Sequence, residues 1–348
     1  MRVLVTGGAG FIGHHVVQAI IHRTDWDITI LDRLDCSGNL NRLAEIGVKR
    51  ARFVFHDLRA EINEQLASQI GPHDYILHIA AATHVDRSIT DPMSFVMDNV
   101  VATCNMLNFA RSYSCKKFLY FSTDEVFGPA PGQTAYKEWD RYRSSNPYAA
   151  TKAGGEELTI AFHNTYGVPA FVTHTMNVIG PRQHYEKYVP GTLRKIIMGE
   201  TVLIHSDSTK TQPGSRFYID ARDVADAVLF LLNTATPGEK YNIVGEREID
   251  NLALAKLIEY EAGLPMNAEL VSWHGSRPGH DLRYGLSGEK LRGMGWKPKL
   301  SIEESISQIV SWYLANHSWL GLPSEHVNDA IVRSGRPPLV RSSVAINV

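Results

Sequence analysis

Along the first half of the chain, short apolar runs rich in β-branched residues alternate with longer stretches whose apolar positions recur every three or four residues. The runs fall at residues 2–6, 27–31, 52–55, 75–79, 117–122 and 170–174, each of strand length. Between them, 95–113 and 148–166 are long enough for helices and carry mixed three and four spacing. Strand and helix in alternation predict an α/β fold built on a doubly wound parallel sheet. The two helices either cover that sheet or supply a dimer surface; the pattern fits both.

After Gly180 the alternation weakens, and loops rich in Pro, Gly and charge appear at 206–215 and 276–279. Residues 222–233 and 303–316 read as amphipathic helices and 240–244 as a buried strand. The expected division is a sheet domain over 1–180 with returns near 217–244, a smaller α/β lobe over 181–322 and a tail over 323–348. The tail has few periodic apolar positions, so it is expected to be loose or to lie along a neighbouring surface.

The strand at 2–6 runs into Gly7-Gly-Ala-Gly10-Phe11-Ile12-Gly13 and then into a helical pattern. Glycines there permit a tight turn, let backbone amides approach a pyrophosphate, and let the helix pack close to the strand. The helix N-terminus adds positive partial charge for phosphates. A plain structural turn is the alternative, and the spacing is GxxGxxG rather than the common GxGxxG. The second strand tips the balance, because it ends in Asp32 about 20 residues beyond the glycines, where a carboxylate accepts from a ribose diol. The fold expected is therefore of the Rossmann type and the cofactor NAD; Arg33 next door keeps NADP open. Asp57, Leu58, Ala80 and Ala82 follow later strands, at the edge that lines a cofactor crevice.

Composition narrows the partners. A net charge of −2 gives no broad pull toward nucleic acid or anionic lipid, so phosphate must be held by local groups. Hydrophobic residues at 44% and charged ones at 21% are ordinary for a globular protein. Cys36, Cys104 and Cys115 are odd in number and lack ligand spacing, which points to a reducing, cytoplasmic setting without disulfides or zinc. The N-terminus does not read as a signal peptide, and no apolar run approaches membrane-spanning length.

Tyr148 and Lys152 lie four apart on the 148–166 helix and share a face. An ammonium beside a phenol favours the phenolate, so the tyrosine pKa is expected to fall toward a range useful for proton exchange. A chance surface pair is the bland alternative. The segment FSTDEVFG at 121–128 follows a strand and so puts Thr123, Asp124 and Glu125 at the sheet's carboxyl edge. Two adjacent carboxylates there can hold different pKa values, one acting as acid and one as base. Helix capping by Thr123 or Asp124 is the competing explanation, and it does not exclude catalysis.

Together GGAGFIG, Asp32 followed by SGNL, AATHVDRSI at 81–89, STDEVFG, YAATK and RPGHDLRY at 277–284 resemble the nucleoside-diphosphate-glucose 4,6-dehydratases, extended members of the short-chain dehydrogenase/reductase superfamily. The resemblance runs over about residues 1–320 in the same order. It implies an NAD-dependent hydro-lyase that oxidises C4, eliminates water across C5 and C6, and reduces C6. In that cycle Tyr148 takes the C4 hydroxyl proton with Thr123 hydrogen-bonding the oxygen, Glu125 takes the C5 proton, and Asp124 protonates the departing C6 hydroxyl. It also implies substrate contacts from Ser88, Asn177, Lys187, His205, Arg216, Asn242, Arg277 and His280; a homodimer is expected through the helices near 95–113 and 148–166.

Departures bear on the base. The family's GDG turn is here HSDSTKTQPGSR, His205 stands where thymidine enzymes carry a tyrosine, and SNNYGP is TMNVIGP. The expected substrate is dTDP- or UDP-glucose. A 4-epimerase or decarboxylase on the same scaffold is the second enzymatic reading, against which Asp124 discriminates; a noncatalytic NAD-binding regulator is the third.

Overall fold

Val3, Leu4 and Val5 are wholly buried, so side chains on both faces of the first strand are covered, as a parallel strand between two helical layers requires. The computed structural model describes residues 1–44, 50–272 and 282–333. Six strands follow in the first half: β1 (Arg2–Thr6), β2 (Asp27–Asp32), β3 (Ala51–Phe55), β4 (Tyr75–His78), β5 (Lys117–Thr123) and β6 (Ala170–Thr175). A late strand, Lys240–Ile243, joins them in one seven-stranded sheet of order Lys240–Ile243, β6, β5, β4, β1, β2, β3. Every pairing in it is parallel. The order reverses between β1 and β4, the switch point at which open α/β sheets receive ligands. In register, Thr6 stands opposite Leu31 and His78, and Thr123 opposite Thr175. Gly7 and Asp124 are thus the first residues past their strands, on the same edge.

The chain divides into two compact units. The first takes Met1–Met176, Ala221–Val244 and Gly279–Lys297; the second takes Asn177–Asp220, Gly245–Pro278 and Pro298–Val348. In the first unit, Leu4, Ile76, Phe118, Tyr120 and Val172 of the sheet pack with Met106, Leu107 and Phe109 of the Ala102–Ser112 helix. The helix Ala221–Thr234, close to the expected 222–233, lies against α1 (Phe11–Arg23), with Arg23 bonded to Asp226 at 2.6 Å. In the second unit, helices Tyr188–Met198, Asn251–Ala262 and Ile302–Ala315 bury Leu193, Leu254, Ile258, Ile306 and Ile309 against one another. Strands Val202–Ser206 and Ala268–Ser272 pair in parallel beside them.

One expectation needs correction, and one is narrowed. The single helix expected at 95–113 is a helix Pro92–Val96, a π-helical turn Met97–Val101 and a helix Ala102–Ser112. The wider turn brings Asn99, 1% exposed, inward, where its side chain pairs with both backbone groups of Ala82; such bulges are frequent at functional sites. The tail is not wholly loose: Ser324–Arg333 is helical, because Val327 and Ala330 three apart enter the second core. Residues 334–348 lie outside the described residues.

Candidate active site

At the end of β1, Gly7 has φ +69°, and a Cβ on it would stand 2.8 Å from the Ala80 backbone. A Cβ on Gly13 would collide with the Gly7 carbonyl. The loop is therefore closed to side chains at both positions. Gly10 caps α1 without a side-chain hydrogen bond, and Phe11 and Ile12 begin the helix half-buried; first-turn amides without a side-chain cap suit an anion. At the end of β2 the Asp32 carboxylate accepts from Ala9 N at 3.0 Å and Leu34 N at 2.9 Å, which fixes it beside the glycine loop. Burial raises its pKa, and those two amides oppose the rise. These residues fit a dinucleotide: a cradle that any side chain would fill, and a fixed acceptor for a ribose diol.

Arg33 is engaged by three carboxylates. Its guanidinium meets Asp98 and Asp35 at 2.9 Å and Asp57 at 3.4 Å. Arg59 bonds both oxygens of Asp57 and, with Arg33, holds that carboxyl down to about 2. Ala80 and Ala82 are half-buried at the same edge, Ala80 N donating to Thr6 Oγ1 at 3.2 Å. Leu58 has its side chain in the apolar core, and its carbonyl accepts from Asn105.

The long helix Pro147–Tyr166 starts where Asn146 accepts from Ala149 N at 2.8 Å and Pro147 takes the first turn; it ends at Gly167 in the left-handed region. Tyr148 and Lys152 face inward, 7% and 3% exposed. Lys152 Nζ donates to the Phe121 carbonyl at 2.7 Å and lies 4.3 Å from the Tyr120 ring centroid. Thr123 to Phe127 leave β5 as a short 3-10 turn. Thr123 Oγ1 accepts from Glu125 N at 3.3 Å and donates to Asp124 Oδ1 at 3.0 Å, so the capping geometry is present. Asn146 also donates to Glu125 Oε2 at 3.0 Å. One asparagine therefore fastens both the helix of Tyr148 and the turn of Glu125. Sequence reasoning missed it, although Asn directly before Pro at a helix start was the signal.

The electrostatics depart from the expected phenolate. Burial pushes the Tyr148 phenol far above its ordinary pKa, with Glu125 adding to the rise and Thr123 opposing it. The same burial pulls Lys152 down to about 7. Desolvation thus outweighs the lysine charge in the chain alone.

Two residues expected at the substrate also have structural duties. Ser88 is wholly buried; its Oγ donates to Val85 O at 2.6 Å and accepts from Tyr148 N at 3.1 Å, clamping the start of the long helix. Asn242, 0% exposed, engages Oδ1 with His174 Nδ1 and Nδ2 with the carbonyls of Tyr136 and Ser287, which cover it although its strand is at the edge of the sheet. In the second unit, Asn177 accepts through its carbonyl from Ile219 N, and Lys187 is half-buried at the start of the Tyr188–Met198 helix. His205 and Arg216 are half-buried on strands, with Arg216 Nη1 donating to Ser215 O at 2.7 Å. Arg277 and His280 lie outside the described residues.

Comparison with known proteins agrees with this layout. Residues 3–244 match the NAD dependent epimerase/dehydratase family. A dTDP-glucose 4,6-dehydratase of Escherichia coli is 34% identical over 350 residues, covering 92% of this chain and 95% of the relative. The crystal structure of DesIV, a dTDP-glucose 4,6-dehydratase from Streptomyces venezuelae with NAD bound, superposes with a TM-score of 0.84 at 33% identity, covering 92% of this chain and 98% of that one. A UDP-glucose 4-epimerase of Thermus thermophilus in complex with NAD gives 0.81 at 28% identity, covering 90% and 99%. The chain belongs to the NAD dependent epimerase/dehydratase family and groups with its 4,6-dehydratases.

Proposed function

We propose that this protein is an NAD-dependent hydro-lyase that converts dTDP- or UDP-glucose to the 4-keto-6-deoxy sugar nucleotide. The observation that carries the reading is the Thr123-Asp124-Glu125 turn, tied through Asn146 to the helix of Tyr148 and Lys152. An epimerase needs oxidation at C4 alone; two carboxylates add the acid and base that an elimination requires. NAD, when bound, supplies the hydride acceptor for C4, the hydride donor for C6 and a positive nicotinamide charge. Gly7, Gly10, Gly13 and Asp32 would hold it.

Tyr148 accepts the C4 hydroxyl proton, and Thr123 hydrogen-bonds that oxygen. The resulting ketone acidifies C5–H. Glu125 removes that proton, Asp124 protonates the departing C6 hydroxyl, and water leaves. Lys152, anchored on the Phe121 carbonyl, supports the phenol's proton exchange. Asn177, Lys187, His205 and Arg216 are assigned to the sugar nucleotide, arginine suiting a diphosphate by its forked donors. Deuterium placed at C4 of the substrate is expected to appear at C6 of a product lighter by one water. A C4-isomerised product that retains its water would overturn the reading in favour of an epimerase. Offering dTDP-, UDP-, CDP- and GDP-glucose in parallel identifies the base.

The protein is further proposed to be a homodimer. Met93 and Val96, 67% and 36% exposed, leave an apolar face on the Pro92–Val96 helix. Sedimentation at two concentrations tests it. The three free cysteines support a reducing, cytoplasmic setting. Among the described residues no helix is long and apolar enough to cross a membrane.

A further inference from the structure

Glu156, His174 and Lys240 take no part in the proton transfers above, yet their side chains are 0%, 0% and 4% exposed. Glu156 follows Tyr148 and Lys152 by further turns of the long helix, on the same inward face. Its Oε1 meets His174 Nε2 at 3.0 Å and Lys240 Nζ at 2.9 Å. His174 stands on β6 and Lys240 on the Lys240–Ile243 strand, so one carboxylate binds the helix to two strands. Asn242, whose amide group donates to two carbonyls, fixes the other face of the imidazole at 2.9 Å. Burial alone would raise the Glu156 carboxyl; His174 and Lys240 more than reverse this and leave it below the ordinary range.

The cluster continues toward the carboxylates. Lys240 Nζ donates to Tyr142 Oη at 2.7 Å and lies 4.3 Å from the Trp139 ring centroid. The Tyr142 ring meets Phe127 edge-on at 5.1 Å, and Phe127 also packs on His174 at 4.8 Å. Phe127 closes the turn that begins with Asp124 and Glu125. Next to Tyr142, Arg143 N donates to Val126 O at 3.0 Å. A continuous path, Glu156 to Lys240 to Tyr142 to Phe127, thus joins the helix of the oxidation pair to the turn of the elimination pair.

Buried ion clusters are poor sources of net stability, because desolvation offsets their attraction. We infer that Glu156, His174, Lys240 and Tyr142 are positioning residues that hold the 124–127 turn in register with Tyr148 and Lys152, so that elimination follows oxidation without a pause. The inference rests on the dehydratase reading for its kinetic consequence, but its geometric content stands apart from it.

The test uses the full-length protein loaded with NAD, as wild type, Tyr142→Phe, Lys240→Met and the double variant Glu156→Met/Lys240→Met. The double variant removes both members of the pair and is expected to recover thermal stability lost by Lys240→Met. Its turnover on dTDP-glucose or UDP-glucose, per bound cofactor, should stay about 10- to 100-fold low with KM little changed, the penalty of a small misplacement. Reduced nicotinamide should accumulate transiently, because elimination now lags oxidation. Turnover that recovers with stability, or a loss shared equally by both steps, overturns the inference. Hydrogen exchange at the Glu125 and Gly128 amides gives a readout that needs no substrate. Both should exchange faster in Lys240→Met, while the β1 amides stay unchanged. Equal exchange overturns the positioning role. A wild type that releases no water from any sugar nucleotide overturns the dehydratase reading instead, and the exchange result still decides the other.

Discussion

Lys152 shows how much a side chain's surroundings add to its identity. Its spacing from Tyr148 was legible in the sequence; the burial of both side chains, which raises the phenol and lowers the lysine, was not, since desolvation depends on what the fold packs around each. The consequence for stability has a definite sign. With a folded pKa of about 7 against an ordinary 10.5, the folded chain releases the proton first as pH rises. The unfolded state binds more protons between those values, so stability climbs across that window. Lys152→Met is expected to be more stable than wild type below about pH 7, with an advantage that shrinks toward about pH 10. Denaturant melts of NAD-free protein at several pH values check it, and a pH-independent difference would count against a buried ammonium. For the neighbouring carboxylates, Asp124→Asn and Glu125→Gln should slow elimination by about 100-fold or more while the first hydride transfer persists. Rapid-scan absorbance would then show reduced nicotinamide building up. Full dehydratase turnover in both variants would reduce the pair to caps.

Elements were legible where a local signal ended them, and less so where a tertiary contact did. The Asn-Pro start and glycine end of the Pro147–Tyr166 helix are visible in the chain, and the expected 148–166 differs by one residue. The π-helical turn at Met97–Val101 has no such mark, since Asn99 is turned inward by its pairing with Ala82, 17 residues earlier in the chain. Asn146 belongs to this scale because it serves two elements at once. Asn146→Ala removes a helix cap and should cost about 1 kcal/mol in a thermal or denaturant melt. Asn146→Asp keeps the cap, so stability should return. It also sets a second carboxylate beside Glu125, 3.0 Å from the present amide, and like charge raises a carboxyl pKa. The acid-side limb that Glu125, as the base, contributes to the pH–rate profile should therefore move to higher pH in Asn146→Asp. An unshifted limb would mean that another group acts as the base.

At the scale of the molecule, the sheet is completed by a strand that arrives late. Weakened alternation after residue 180 pointed to a second lobe, and the run at 240–244 to a return; which strand it would join was invisible, because parallel pairing leaves no mark in local sequence. In the fold, Lys240–Ile243 pairs with β6, whose six residues are all buried, and Ala221–Thr234 covers α1. The family match over 3–244 ends one residue past that strand. Cutting the chain after Met176 would strip β6 of its partner, exposing a long apolar edge open to pairing with other chains. It would also remove the helix that lies against α1, with its Asp226 partner of Arg23, and release Glu156 from Lys240, leaving His174 as its cationic neighbour. A fragment of residues 1–176 keeps the glycine loop and Asp32, yet it is expected to aggregate, to lack a cooperative thermal transition, and to bind NAD at least about 100-fold more weakly than the full chain. The reason is that small losses of core are large against a net stability of about 5–15 kcal/mol. Light scattering, calorimetry and NAD titration of the two proteins side by side decide the matter. A monomeric fragment with a sharp transition and undiminished affinity would show that the cofactor half folds without its returning strand, and that the interleaving serves the second unit.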